Sequence, residues 1–137
     1  MRKIDFIALH CSDSDHEHHN NADTIDEWHK IRGWSQIGYN FFIRSNGTIE
    51  VGRPVDLIPA HIRGHNKNSV AICLHGKNHF TDKQFRSCAK LCNLLMKVFN
   101  LSQLDIIAHN NLDKNKSCPN FEISKVTSLL DDVRESF

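Results

Sequence analysis

The sequence predicts a single α/β domain, a central mixed β-sheet of about five strands flanked by helices. Three observations carry this. The run "SVAICLHG" at 69–76 is continuously apolar and bounded by polar residues, the pattern of a strand buried on both faces. Phe85, Cys88, Cys92, Leu95 and Phe99 recur at alternating spacings of three and four, one apolar face of a long helix. Strand-like and helix-like segments also succeed one another as β-α-β-β-β-α-β-α, an order that layers helices on a sheet.

Taken in order, residues 3–10, "KIDFIALH", form the first strand. "DSDHEHHNNAD" at 13–23 is an exposed loop. "TIDEWHKIR" at 24–32 is a helix, with Thr24 and Glu27 paired as a capping box and Gly33 stopping it. "YNFFIRSNGTIEVGR" is a hairpin around Asn46-Gly47, the dipeptide favoured for a two-residue turn. The strand at 69–75 leads through the helix at 81–99 to a strand at 104–108. Thr81 and Gln84 cap that helix. This βαβ unit calls for a parallel pair with a right-handed crossover. "EISKVTSLLDDVRESF" at 122–137 closes the chain as a helix with Val126, Leu129, Leu130 and Val133 on its apolar side.

Composition narrows the function classes. At 137 residues the chain is one ordinary domain, 1–137, with room for a hydrophobic core. A formal net charge of +1 argues against a nucleic-acid-binding surface. No apolar run reaches the 18 or so residues of a membrane span, so no membrane insertion is expected. "MRKIDFIALHCSDSD" has too short an apolar patch for a secretory signal and no small-residue cleavage site, which predicts synthesis in the cytosol. Five Cys without framework spacing then read as core thiols or metal ligands. Cys88 and Cys92, one helical turn apart on the apolar face, belong to the core.

Two strands end in histidine, "FIALH" at His10 and "DIIAH" at His109. Functional groups in open α/β sheets gather beyond the carboxyl ends of strands. If these two strands are parallel neighbours, both imidazoles leave the sheet at one edge. Cys118 follows His109 closely enough for its loop to fold back to the same point. Two His and one Cys are three of the four positions of a zinc tetrahedron, with the fourth open, the catalytic rather than the structural arrangement. On spacing alone, a strand-end His also reads as a hydrogen-bonded loop residue, Lys116 as a solvated cation and Tyr39 as a packing residue. "HEHH" at 16–19 is a competing metal site, but no rigid element fixes its geometry.

"ALHCS", "IDEWHKIRGW", "IGYNFFIRSNGTIEVGRP", "AHIRGHNKNSVAICLHG", "FTDKQ" and "KSCPNF" occur in this order over nearly the whole chain. Together they resemble type 2 N-acetylmuramoyl-L-alanine amidases of the short phage lysozyme type, which share their fold with peptidoglycan recognition proteins. The resemblance implies that His10, His109 and Cys118 hold zinc. It implies catalytic roles for Tyr39, in the "GY" element, and Lys116, two positions before the ligand Cys. His61, in the "AH" element, would line the substrate groove. The cell-wall-recycling branch of the family uses an Asp as third ligand and a Glu base on the strand before the long helix. Cys118 and a carboxylate-free "SVAICLHG" set this chain apart from that branch. Ala71 stands where Gly is usual, and His75 where a small apolar residue is common and where it could alter the groove wall.

The implied activity is cleavage of the amide between the muramoyl lactyl group and L-alanine in peptidoglycan or muropeptides, an endolysin-like and antibacterial function. An amide is a poor electrophile and water a poor nucleophile. Zinc addresses both, acidifying water to a pKa of about 7 and polarising the carbonyl. Lys116 and Tyr39 would stabilise the oxyanion, each contributing on the order of 3 kcal/mol. With no obvious carboxylate base, Tyr39 or His61 would handle protons. Two alternatives stand beside this: a non-catalytic recognition module, which usually lacks a zinc ligand, and an added regulatory role through a protein partner. An enzyme made in the cytosol would reach the wall after release or delivery by another factor.

Overall fold

The computed structural model describes residues 2–133. Among them, β1 (Phe6–Cys11), β2 (Phe41–Ile43), β3 (Ile49–Val51), β4 (Ser69–Leu74) and β5 (Ile106–Ala108) form one sheet in the order β3-β2-β4-β1-β5. β1 runs parallel to β4 and β5, β2 runs parallel to β4, and only the β2–β3 hairpin is antiparallel. The expected mixed sheet is present. The βαβ unit is wider than its sequence suggests, because β1 lies between β4 and β5. Both are parallel to it, so the crossover through α2 (Asp82–Phe99) spans a strand gap.

Side chains alternate across each strand, which divides the core in two. Ile7, Leu9, Val70, Ile72 and Leu74 meet Phe85, Cys88, Cys92 and Leu95 of α2. Val126 of α4 (Ser124–Thr127) and Leu130 and Val133 of α5 (Leu130–Val133) complete that layer. On the other face Phe42 and Cys73 pack with Ala22 and Ile25 of α1 (Ala22–Ile31) and with Ile37. Fully burying an Ile or Leu stabilises by roughly 1.5–3 kcal/mol. Helices on both faces therefore hold the ends of β1 and β5 rigidly.

Local hydrogen bonds explain where the elements differ from expectation. The Thr81–Gln84 capping box is present, with Gln84 N–H donating to Thr81 Oγ1 at 3.2 Å and Thr81 N–H to Gln84 Oε1 at 2.9 Å. The Thr24–Glu27 box is not the start of α1: Asn21 caps it, its side chain accepting from Thr24 N–H at 2.8 Å. Asn is the stronger N-cap, and Ala22 and Asp23 continue the helix without conflict. The hairpin turn is three residues, not two. Gly47 N–H donates to Arg44 O at 2.9 Å, Arg44 N–H to Thr48 O at 2.9 Å, and Gly47 takes φ +89°. This is a type I turn followed by a left-handed glycine. Tertiary contacts select it: Ser45 N–H donates to Asn20 Oδ1 at 2.9 Å and Ser87 Oγ to Gly47 O at 2.6 Å.

The closing helix is two short ones, α4 and α5, and residues 134–137 of that expected element lie outside the described residues. Leu129 N–H turns to Val126 O at 3.0 Å, a tightened step, and Asn93 Nδ2 of α2 donates to Leu130 O at 2.8 Å. The "HEHH" stretch lies largely in a short 3₁₀ turn, Glu17–His19, with none of its residues buried.

Candidate metal centre

β1 delivers His10 and Cys11 to the carboxyl end of the sheet. Leu9 points into the α2 layer, so the pleat turns His10 toward α1, where its ring lies 5.0 Å from that of Tyr39. β5 begins at Ile106, two residues later than expected, and stops at Ala108, and His109 opens the short helix α3 (His109–Leu112). Asn111 causes the stop, its Oδ1 accepting from Ala108 N–H at 2.9 Å. The following loop is stapled back by Asn110, whose N–H donates to Cys118 O at 3.0 Å and whose side chain donates to Ser117 O at 3.3 Å.

The three residues meet. His10 Nδ1 and His109 Nδ1 face each other at 3.1 Å, and the ligand atoms of His10, His109 and Cys118 all lie within 4.8 Å of one another. The Cys11 N–H donates to Cys118 Sγ at 2.8 Å. Among the described residues this is the one group of His, Cys and acidic side chains that could hold a metal, and the "HEHH" histidines form none. A cleft of about 420 Å³ opens over it, lined by Tyr39, His61, His109, Lys116 and Cys118.

The sequence profile described as N-acetylmuramoyl-L-alanine amidase matches residues 1–121. The chain belongs to that family. The amidase is 32% identical over 127 residues to the endolysin of Klebsiella phage KP32, covering 87% of this chain and 82% of that one. The N-acetylmuramoyl-L-alanine amidase LysC from Clostridium intestinale superposes with a TM-score of 0.84 at 31% identity, covering 95% of this chain and 87% of that one. Drosophila peptidoglycan recognition protein LB shares the fold, with a TM-score of 0.74 at 20% identity over 98% of this chain and 82% of that one.

Burial governs the electrostatics of the amidase site. It holds His10 well below the usual imidazole range, and the neighbouring His61 and His109 lower it further. It also lowers His109, where Asp113 pulls upward and Lys116 downward. His61 is depressed to about 3, first by burial and then by His109, Arg2 and His65. The hydrogen bond to the Cys11 thiol, together with burial, pushes the Cys118 thiol up. Burial and then the thiols of Cys73, Cys118 and Cys11 keep Tyr39 protonated well above the ordinary phenol range.

Lys116 is exposed on the cleft rim. His61 lines the cleft but has both ring nitrogens engaged, Nδ1 with His10 Nε2 at 2.7 Å and Nε2 with Ser69 Oγ at 2.6 Å. His75 is buried and is not among the residues that line the cleft. Several lining residues escaped sequence reasoning: Trp28, His29, Arg32, Trp34 and Arg63, with Asp13 and Asp113 as carboxylates of the cleft. His29 carried a signal. It follows Ile25 by four on the apolar face of α1, and its Nδ1 accepts from Gly38 N–H at 2.7 Å. That bond and its ring contact with Tyr39, at 5.5 Å, position the Gly38-Tyr39 turn.

Proposed function

We propose that this amidase is a zinc-dependent peptidoglycan hydrolase that cuts the amide between the N-acetylmuramoyl lactyl group and L-alanine of the stem peptide. The convergence of His10, His109 and Cys118 beneath the cleft carries the reading. The donor set fits zinc. Two imidazoles and a thiolate are donors it favours, and three protein ligands leave a fourth position open. Two nitrogens about 2.1 Å from a tetrahedral zinc lie roughly 3.4 Å apart. The Nδ1 atoms of His10 and His109 stand at 3.1 Å.

When bound, zinc supplies Lewis acidity toward water and toward the amide carbonyl. The chain's own residues supply the rest. The Cys11 N–H donated to Cys118 Sγ stabilises the thiolate form that a metal requires. Tyr39, kept protonated by burial, has a proton to donate to the developing oxyanion. Lys116 brings a cation to the rim of the same cleft. Donors of this kind each contribute on the order of 3 kcal/mol to the transition state. With both nitrogens of His61 engaged, Tyr39 is the better placed of the two to handle protons.

The test is digestion of purified peptidoglycan, with released stem peptides identified by mass and metal measured by elemental analysis. Stem peptides beginning with L-alanine, lost on chelation and restored by zinc, support the reading. Peptidoglycan binding without peptide release would identify a recognition module instead.

A further inference from the structure

We propose that Ser69 is a positioning residue for the metal centre, acting through His61 to dictate which ring nitrogen of His10 faces the ligand cluster. The inference rests on the reading of His10, His109 and Cys118 as zinc ligands. Ser69 is fully buried at the first position of β4. Its Oγ lies 2.8 Å from His65 O, with Asn66 O farther off at 3.4 Å. A carbonyl only accepts, so the Ser69 hydroxyl spends its single proton there. The same oxygen is 2.6 Å from His61 Nε2 and can only accept from it.

The polarity then runs inward without a free choice. A neutral imidazole protonated at Nε2 has a bare Nδ1. That bare Nδ1 of His61 sits 2.7 Å from His10 Nε2, which must therefore carry a hydrogen. Neutral His10 is left with a bare Nδ1, the atom that faces His109 Nδ1 at 3.1 Å. A main-chain carbonyl at one end of the relay thus presents a lone pair at the other. The opposite tautomer of His10 would put a proton where a metal needs an electron pair.

A purely structural role for Ser69, satisfying a buried imidazole, predicts less. The loop before β4 is held independently: Asn66 Oδ1 accepts from His61 N–H at 3.0 Å and from Ile62 N–H at 2.9 Å. Ser69→Ala therefore removes the tautomer lock while leaving the loop's own anchor.

The first experiment is zinc affinity by competition with a chromophoric chelator. Loss of an outer hydrogen-bond partner costs about 10–100-fold in metal affinity, and Ser69→Ala should weaken zinc by that factor. Ser69→Thr keeps the hydroxyl and should stay within about threefold of wild type on the same grounds. Wild-type affinity in Ser69→Ala overturns the proposal. It would leave the ligand reading intact if Cys118→Ala still loses the metal. A wild-type protein that takes up no zinc overturns the ligand reading itself. The second experiment needs no variant: two-bond ¹H–¹⁵N spectra of the metal-free wild type near pH 7.5. His61 and His10 should both appear as Nε2–H tautomers, and Nδ1–H on either ring overturns the proposal.

Discussion

Replacing Tyr39 by Phe removes one oxygen and tests the proposed chemistry directly. The aromatic contacts with His10 at 5.0 Å and His29 at 5.5 Å are made by rings and survive in Phe. Gly38 N–H still donates to His29 Nδ1, so the turn that presents residue 39 is unchanged. The cost to stability is confined to the hydroxyl's hydrogen bonding, about 1 kcal/mol. None of the three ligand atoms belongs to Tyr39, so zinc should be retained in full. Catalysis should respond differently. A donor to the oxyanion acts in the transition state, and its loss costs about 100- to 1,000-fold in kcat, or roughly 2.7–4 kcal/mol. kcat and kcat/KM should fall by similar factors, because ground-state binding of the stem is untouched. The assay is the initial rate of stem-peptide release from a soluble muropeptide, with zinc content and thermal midpoint measured on the same sample. Wild-type turnover in Tyr39→Phe would refute the assignment. A fall in rate that tracks lost zinc would refute the reasoning that separates Tyr39 from the metal.

Lys116→Ala should likewise retain zinc and lower kcat about 100- to 1,000-fold, read in the same assay. Cys118→Ala should abolish stoichiometric zinc by elemental analysis. It should also abolish the zinc-dependent rise in thermal midpoint, since ligand at about 100 times its dissociation constant stabilises by roughly 2.7 kcal/mol. Replacing His16, His18 and His19 together by Ala should leave turnover within a few fold. The His19 ring touches the cleft residue Trp28, at 4.7 Å, without reaching the three ligand residues. His29 is depressed from about 6.5 to about 4, first by burial and then by Arg32 and Arg53. A lowered imidazole means that the unfolded chain binds more protons in that interval. Stability should thus be intact above pH 6.5 and decline as pH falls toward 4, as urea midpoints would show. His29→Gln should flatten that decline.

The features legible in the sequence are those whose causes are local. An uninterrupted apolar run marks β4, and the Thr81–Gln84 pair marks the start of α2, because the hydrogen bonds concerned close within a few residues. The family motifs likewise picked out His10, His109 and Cys118, which the fold brings together, because each sits in a short stretch of characteristic neighbours. Where two local solutions compete, tertiary contacts decide. Asn21 displaced Thr24 as the cap of α1, and contacts from Asn20 and Ser87 chose a three-residue turn over the two-residue turn that Asn46-Gly47 permits. Pairing across the sheet is decided only in three dimensions. Nothing near residue 6 announces that β1 inserts between β4 and β5, yet that insertion brings His10 beside His109. The relay from His65 O through Ser69 and His61 to His10 joins β1, β4 and the loop between β3 and β4. A serine that begins an apolar strand carries no sign of it. Its role arises from hydrogen-bond directions that exist only once burial has excluded water as a partner.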